Sequence, residues 1–382
     1  MENIIVLSGI LYIIYLIYEK SYNKKIRRSF KHVIHVNGTR GKSTVSRLID
    51  AGLREAGFSV FTKTTGTSPR IIHTDGHESE IKRKGKANIR EQIKIMRNAA
   101  AEKAEILVIE CMAVKPELQL VCQRDIIKAD IGVITNARLD HQDEMGHSLN
   151  DIIRALGSTI PHNGVLFTAD EKAYDFYKEL GYENKTEVFL AADESKDFEG
   201  IDFIENVSLA CMVCEHLGVK KQVALTGMSK YKKDPGSLKI YQIENKNRCQ
   251  IEFINALAAN DPDSTEKIFH SLSIDSNKHF NHKVMLINNR FDRATRMNQY
   301  IDFTVNMEGY FNEVWIIGDL KNIMKKRLIK RGIKSDRIKL LENINHVDTL
   351  KKDTLIFAVG NIGGYGHNIV KHFEREGEAN AG

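Results

Sequence analysis

Residues 35–44 read HVNGTRGKST, and they carry the residue types and order that phosphate chemistry requires. An apolar stretch runs into Gly38 and Gly41, and Lys42, Ser43 and Thr44 then open a helical pattern. Such a turn aims backbone N–H groups and a helix N-terminus at phosphate. Its lysine neutralises the outer phosphates and its hydroxyl binds Mg²⁺. Gly38, Thr39, Arg40, Gly41, Lys42, Ser43 and Thr44 are thus the expected cradle for ATP with Mg²⁺. The common spacing G-x-x-x-x-G-K-[ST] would begin at position 36, where this chain has Val36. The strand before the turn and the helix after it carry the reading instead.

Two further segments carry chemistry. LVIEC, residues 107–111, is an apolar run with Glu110 at its end, where a parallel sheet gathers its ligands; a carboxylate there suits a Mg²⁺ ligand. IGVIT, residues 131–135, leads through Asn136 to Asp140 and His141. By itself His141 reads equally as a loop histidine bonded to a carbonyl, because Mg²⁺ prefers oxygen ligands. Arg70, in the segment SPRII, is a candidate clamp for an acidic substrate, since a guanidinium binds carboxylate bidentately; a surface ion pair is the competing reading.

Positioning these residues requires an α/β fold. Short apolar runs at 33–36, 59–62, 106–109, 131–135 and 165–168 alternate with helical patterns at 43–56, 89–101 and 149–156, the sign of a parallel sheet. A helix at 207–217 closes this unit, and its C-x-x-C, Cys211 and Cys214, reads as helix packing. A second set of strands follows at 238–243, 251–254, 284–287, 314–317 and 355–359. The expected domains are 1–31, a membrane anchor and basic linker; 32–246, the ATP-binding domain; and 247–382, a smaller Rossmann-like α/β domain.

Residues 4–18, IIVLSGILYIIYLIY, hold no charge. They are shorter than the roughly 20 residues of an ordinary membrane span. The Met1-Glu2 start and the Glu19-Lys20 flank do not fit a cleaved signal peptide. The reading is a hydrophobic anchor helix, with Lys20, Lys24, Lys25, Arg27, Arg28 and Lys31 keeping the catalytic domains on the cytoplasmic side of the cell membrane. The net charge of +6, from 56 basic and 50 acidic residues, is too mild to call for nucleic acid. Five scattered cysteines do not form a disulfide frame.

Taken together, GTRGKS at 38–43, the strand ending in Glu110, and Thr135-Asn136 followed by Asp140-His141 resemble the Mur ligase superfamily. That likeness implies a P-loop ATPase domain followed by a smaller α/β domain. It also implies Mg²⁺ ligation by Ser43, Glu110 and His141, and catalytic roles for Lys42, Glu110 and His141. Asn206 resembles an adenine-side asparagine, Asn260-Asp261 a nucleotide-side turn, and Arg293 lies in NNRFDRATR (288–296), similar to the family's G-G-D-R-D-x-x-K-R loop, from which it would reach the phosphates on closure. The helix at 152–160 lacks the lysine that most members carbamylate to bridge metal.

KTTGTSPRII (63–72), IECMAVKPELQ (109–119), LDHQDEMG (139–146), DPGSLKIY (234–241) and ALAANDPDST (256–265) are similar to ligase subunits of poly-γ-glutamate synthases. This implies an acid–amino-acid ligase that joins glutamate to a polyglutamate chain through an acyl phosphate, partnered by integral membrane subunits. The rival readings are a folylpolyglutamate synthetase-like ligase and a non-ligating P-loop ATPase partner of a membrane complex.

Overall fold

The computed structural model describes residues 2–380 except 67–68, 84, 86, 141, 192–197, 199, 234–237, 260 and 276–278. The chain divides into two compact units, 1–234 and 235–382.

The first unit is built on an eight-stranded sheet in the order β4-β3-β2-β5-β1-β6-β7-β8. Its central strands, β1 (His32–Asn37), β5 (Ile106–Glu110) and β6 (Ile131–Ile134), are buried along their lengths and pair in parallel. Strands covered on both faces need continuous apolar runs, which HVIHV, ILVI and IGVI provide. β2 (Val60–Thr64) extends the parallel set beside β5, and β7 (Val165–Thr168) and β8 (Glu187–Leu190) extend it beyond β6. β3 (Arg70–Ile72) and β4 (Glu78–Glu80) add an antiparallel edge.

One face is covered by the helices that follow the phosphate turn and close the unit: α2 (Lys42–Glu55), α8 (Ile204–His216) and α9 (Lys221–Met228). Val45, Leu48, Ile49 and Leu53 of α2 interlock there with Val207, Ala210, Cys211 and Cys214. Both cysteines of the C-x-x-C are therefore buried packing groups, as expected. The other face holds α3 (Glu91–Ala101), the short α4 (Pro116–Val121) with its π-helical continuation Cys122–Ile127, α5 (Gln142–Met145), α6 (Leu149–Gly157) and α7 (Glu171–Glu183). A Ser148–Asp151 capping box starts α6.

The amino terminus corrects one expectation. Residues 20–27 are not a linker: a single helix, α1 (Glu2–Arg27), runs through them. Its last turns are fastened to the first unit. Asn23 donates from Nδ2 to the Ile126 carbonyl at 2.8 Å, Arg27 pairs with Asp130 at 2.5 Å, and Arg90 pairs with Glu19 at 2.6 Å. The apolar side chains at positions 6–18 stand 38–65% exposed. Among the described residues no helix is long and apolar enough to cross a membrane. The expected transmembrane helix is thus not supported, because its fifteen apolar residues give way to a polar, docked segment.

The second unit carries six strands in the order β13-β12-β11-β14-β10-β9. β10 (Gln250–Asn255), β11 (His282–Asn289), β12 (Glu313–Gly318), β13 (Ile338–Leu340) and β14 (Thr354–Gly360) are parallel. α10 (Pro262–Ser271), α11 (Ala294–Asn306), α12 (Lys321–Lys330) and α13 (Gly366–Asn380) complete it. β9 (Lys239–Glu244) pairs antiparallel with β10, so it belongs to this sheet. That pairing moves the boundary upstream of the expected 246/247 position, to 234/235.

Candidate active site

The site forms where β1, β5 and β6 end side by side. β1 leads through the phosphate turn into α2 and on to β2, on one side, while the chain after β5 crosses to β6 on the other. This reversal opens the crevice in which α/β sheets bind ligands. The turn itself is tightly packed. Gly38 has φ +129°, and a Cβ there would lie 2.0 Å from Thr135 Oγ1; Gly41 caps α2 in the left-handed region. Neither position accepts a side chain without strain.

Hydrogen bonds lock the turn to the end of β6. Thr39 N–H donates to the Asn136 carbonyl at 2.9 Å, and Thr39 Oγ1 and Arg40 N–H donate to Asn136 Oδ1 at 2.8 and 3.1 Å. Thr135 Oγ1 returns a bond to the Arg40 carbonyl at 2.5 Å. The Arg40 guanidinium reaches Asp140 at 3.0 Å. Lys42 curls over its own loop, donating from Nζ to the Gly38 carbonyl at 2.6 Å, the place from which it would turn to phosphate.

Ser43 and Glu110 meet as expected: Ser43 Oγ donates to Glu110 Oε2 at 2.7 Å. Sequence reasoning missed Thr65, which follows β2. Its N–H donates to Glu110 Oε2 at 2.6 Å and its hydroxyl to Oε1. Only the strand order, with β2 beside β5, could have found it. These are hard oxygen donors, the set that suits Mg²⁺. The described residues contain no group of three His, Cys, Asp or Glu that could hold a metal. His141 and Asn260 lie outside the described residues.

Beneath Glu110, also unforeseen, Lys63 is fully buried with Nζ 3.3 Å from Glu91. Burial pushes its pKa down, against the charges of Glu91 and Glu110. Burial likewise pushes the Cys111 thiol up to about 11 and the His35 imidazole down to about 4.

Other expected residues fall in different places. Asn206 is brought to the turn: a Cβ on Gly41 would lie 2.8 Å from its Oδ1, and its Nδ2 donates to Asp202 at 3.0 Å. Arg70 is half-buried at the sheet edge, with its Nε buried and unbonded. Burial opposes ionisation of Glu78 nearby, yet Arg47, bonded at 2.8 Å, and the charge of Arg70 hold it below the usual carboxylate range. Arg293 is half-buried in the second unit, before α11. The Asp261 side chain caps α10, accepting from Ser264 N–H at 2.8 Å.

Residues 36–231 match the Mur ligase middle domain, and residues 240–376 match the poly-gamma-glutamate synthase CapB C-terminal domain. The chain belongs to the Mur ligase family. Membership makes it an ATP-dependent amide ligase. The PGA synthase CapB of Bacillus subtilis (strain 168) is 34% identical to this Mur ligase over 371 residues, 93% of each chain. The capsule biosynthesis protein CapB of Bacillus anthracis is 38% identical over 307 residues, 78% of this chain; the chain spans 65% of that relative's length. Solved structures share the fold. Folylpolyglutamate synthase of Mycobacterium tuberculosis, complexed with ADP and AMPPCP, superposes with TM-score 0.66 at 16% identity, covering 96% of this chain and 98% of that one. MurF of Acinetobacter baumannii gives 0.64 at 14%, covering 93% and 79%.

Proposed function

We propose that this Mur ligase makes poly-γ-glutamate, joining a glutamate or polyglutamate carboxylate to the amine of another glutamate. The observation that carries the reading is the convergence of Ser43, Thr65 and Glu110 beside the phosphate turn, in a chain whose second unit matches the CapB C-terminal domain over residues 240–376.

The physical demand of the reaction is charge management, because a carboxylate must approach a polyphosphate. Backbone N–H groups of residues 38–42 and the Lys42 ammonium bind and orient the phosphates. Lys42 exchanges its bonds to the Gly38 carbonyl for bonds to phosphate. Ser43 and Glu110 would hold Mg²⁺, with His141 as a further ligand and Thr65 orienting the Glu110 carboxylate; the ion would supply charge neutralisation at the transferred phosphate. The substrate carboxylate oxygen bonds to the terminal phosphorus as the bond to ADP breaks. The amine of the next glutamate then attacks the acyl carbon, loses a proton and expels phosphate. Asn206 lies against Gly41 and is assigned to the nucleoside side, Arg70 to the acidic substrate and Arg293 to the phosphates. Asn260 and Asp261 stay assigned to the nucleotide as the resemblance of their turn implies, with the Asp261 side chain also capping α10.

The exposed apolar stretch of α1, with Lys20, Lys24, Lys25 and Arg28 at its base, suits a membrane interface of anionic lipid on the cytoplasmic side. Integral membrane subunits that pass the polymer outward are the partners this reading implies.

The test is incubation of the protein with ATP, Mg²⁺ and labelled glutamate. Acid-stable γ-linked polymer is expected, with phosphate release dependent on glutamate, and Lys42→Ala should lower the rate by about 10²–10³-fold. ATP hydrolysis indifferent to glutamate would favour the non-ligating ATPase, the reading to which the lysine-free α6 gives some support.

A further inference from the structure

Arg40 occupies the middle of the phosphate turn, yet its side chain is directed elsewhere. Its guanidinium lies 3.0 Å from Asp140, with the two side chains only 18% and 10% exposed. The backbone of the same residue is fixed at both ends, its N–H by Asn136 Oδ1 and its carbonyl by Thr135 Oγ1 and Asn136 Nδ2. The side chain therefore leaves from a rigid base and joins the phosphate turn to the far end of the 136–140 segment. Asp140 directly precedes His141. It is an acid held mostly out of water, at the edge of a site that must receive a polyphosphate and a carboxylate. With the Arg40 guanidinium removed from beside it, its charge would act more strongly against both substrates in a low-dielectric surrounding.

We propose that Arg40 is a positioning residue that acts through Asp140: it neutralises that carboxylate and holds the 136–140 segment against the phosphate turn, and it does not itself grip the nucleotide. The inference rests on the nucleotide reading above and refines it, since Arg40 would otherwise count among the phosphate contacts. The contact is an ion pair through Arg40 Nη2, so its effect is chiefly one of charge.

The test is a double-mutant cycle on the full chain, using equilibrium binding of the non-hydrolysable ATP analogue AMPPCP with Mg²⁺. Thermal unfolding is recorded for every variant. Arg40→Gln should weaken binding about 10-fold, while Asp140→Asn and the double variant should stay within about threefold of wild type. Arg40→Lys, which keeps the charge, should also stay within about threefold. Amide hydrogen exchange supplies a second readout: in nucleotide-free protein, Arg40→Gln should speed exchange across residues 136–140, which a pure phosphate contact would not do. Equal weakening in Arg40→Gln and the double variant, with unchanged exchange, would show that the guanidinium works on the nucleotide and would overturn the inference. Wild-type binding by Arg40→Gln would overturn it as well. If Arg40→Gln does not fold, the double variant decides alone, because weak binding by a folded double variant rejects the role. Failure of wild-type protein to bind AMPPCP would instead remove the nucleotide reading and this inference together.

Discussion

Ser43 Oγ stands 2.7 Å from Glu110 Oε2, joining the first turn of α2 to the end of β5, and the Thr65 N–H donates to the same carboxylate oxygen at 2.6 Å. The carboxylate is therefore oriented before any metal arrives. Removing the Thr65 hydroxyl should loosen that orientation and leave the fold intact. Thr65→Val is expected to raise the Mg²⁺ concentration at half-maximal activity about 10-fold, the usual cost of losing a partner that orients a ligand. Titrating Mg²⁺ at saturating ATP checks this; an unchanged midpoint would mean that Thr65 is a bystander.

A methyl group at Gly38 has nowhere to go. It would lie 2.0 Å from Thr135 Oγ1, on a backbone at φ +129°. Gly38→Ala is expected to destabilise the first unit by about 2–3 kcal/mol and to abolish nucleotide binding. Urea unfolding gives the first quantity, and the same AMPPCP titration gives the second.

His35 makes stability depend on pH. It is buried, Gln123 Oε1 takes its Nδ1–H at 2.8 Å, and Nε2 is buried without a partner. Its folded pKa, about 4, lies below the ordinary 6.5, because burial disfavours the charged ring. The unfolded chain therefore binds the proton more readily, and the stabilisation is complete above about pH 6.5 and is lost as pH falls toward 4. About 3 kcal/mol should disappear over that interval from this residue alone. His35→Gln should flatten the pH dependence of the urea midpoint between pH 7 and 4; an unaltered slope would assign it to other groups.

Two truncations separate the halves of α1. Deleting residues 2–18 removes exposed apolar surface and keeps the Glu19, Asn23 and Arg27 contacts. It should leave the unfolding temperature nearly unchanged while abolishing cosedimentation with anionic vesicles. Deleting residues 2–31 also removes the Asn23 and Arg27 bonds and the buried Ile26 and Phe30, and should cost about 3 kcal/mol or more. Equal thermal behaviour of the two would contradict the docking of the last turns.

Much of the site was legible because its signals are local. Gly38 to Thr44 follow one another in the chain, and Glu110 closes an unbroken apolar run. What escaped depended on strand order. Thr65 reaches Glu110 only because β2 and β5 are neighbours, and Arg40 meets Asp140 only because β1 and β6 are. The cap made by Asp261 was not foreseen, although an Asp-Pro before a helical pattern is a ready N-cap. The 246/247 boundary failed because a hairpin turn, here at 245–249, is as polar as a linker. Lys20 to Arg27 looked like a linker because a basic run reads as solvated. Asn23 and Arg27 instead face backbone carbonyls more than a hundred positions away.

The seam at Asp130 has a mechanical consequence. Its carboxylate holds Arg27 of α1, His32 and the Val33 N–H at the start of β1, while the same strand carries the phosphate turn at its other end. Only four residues separate α1 from β1. Whatever grips the leader thus grips the catalytic unit by a stiff handle and not a leash, and a pull or tilt applied there travels directly down the strand that presents the nucleotide.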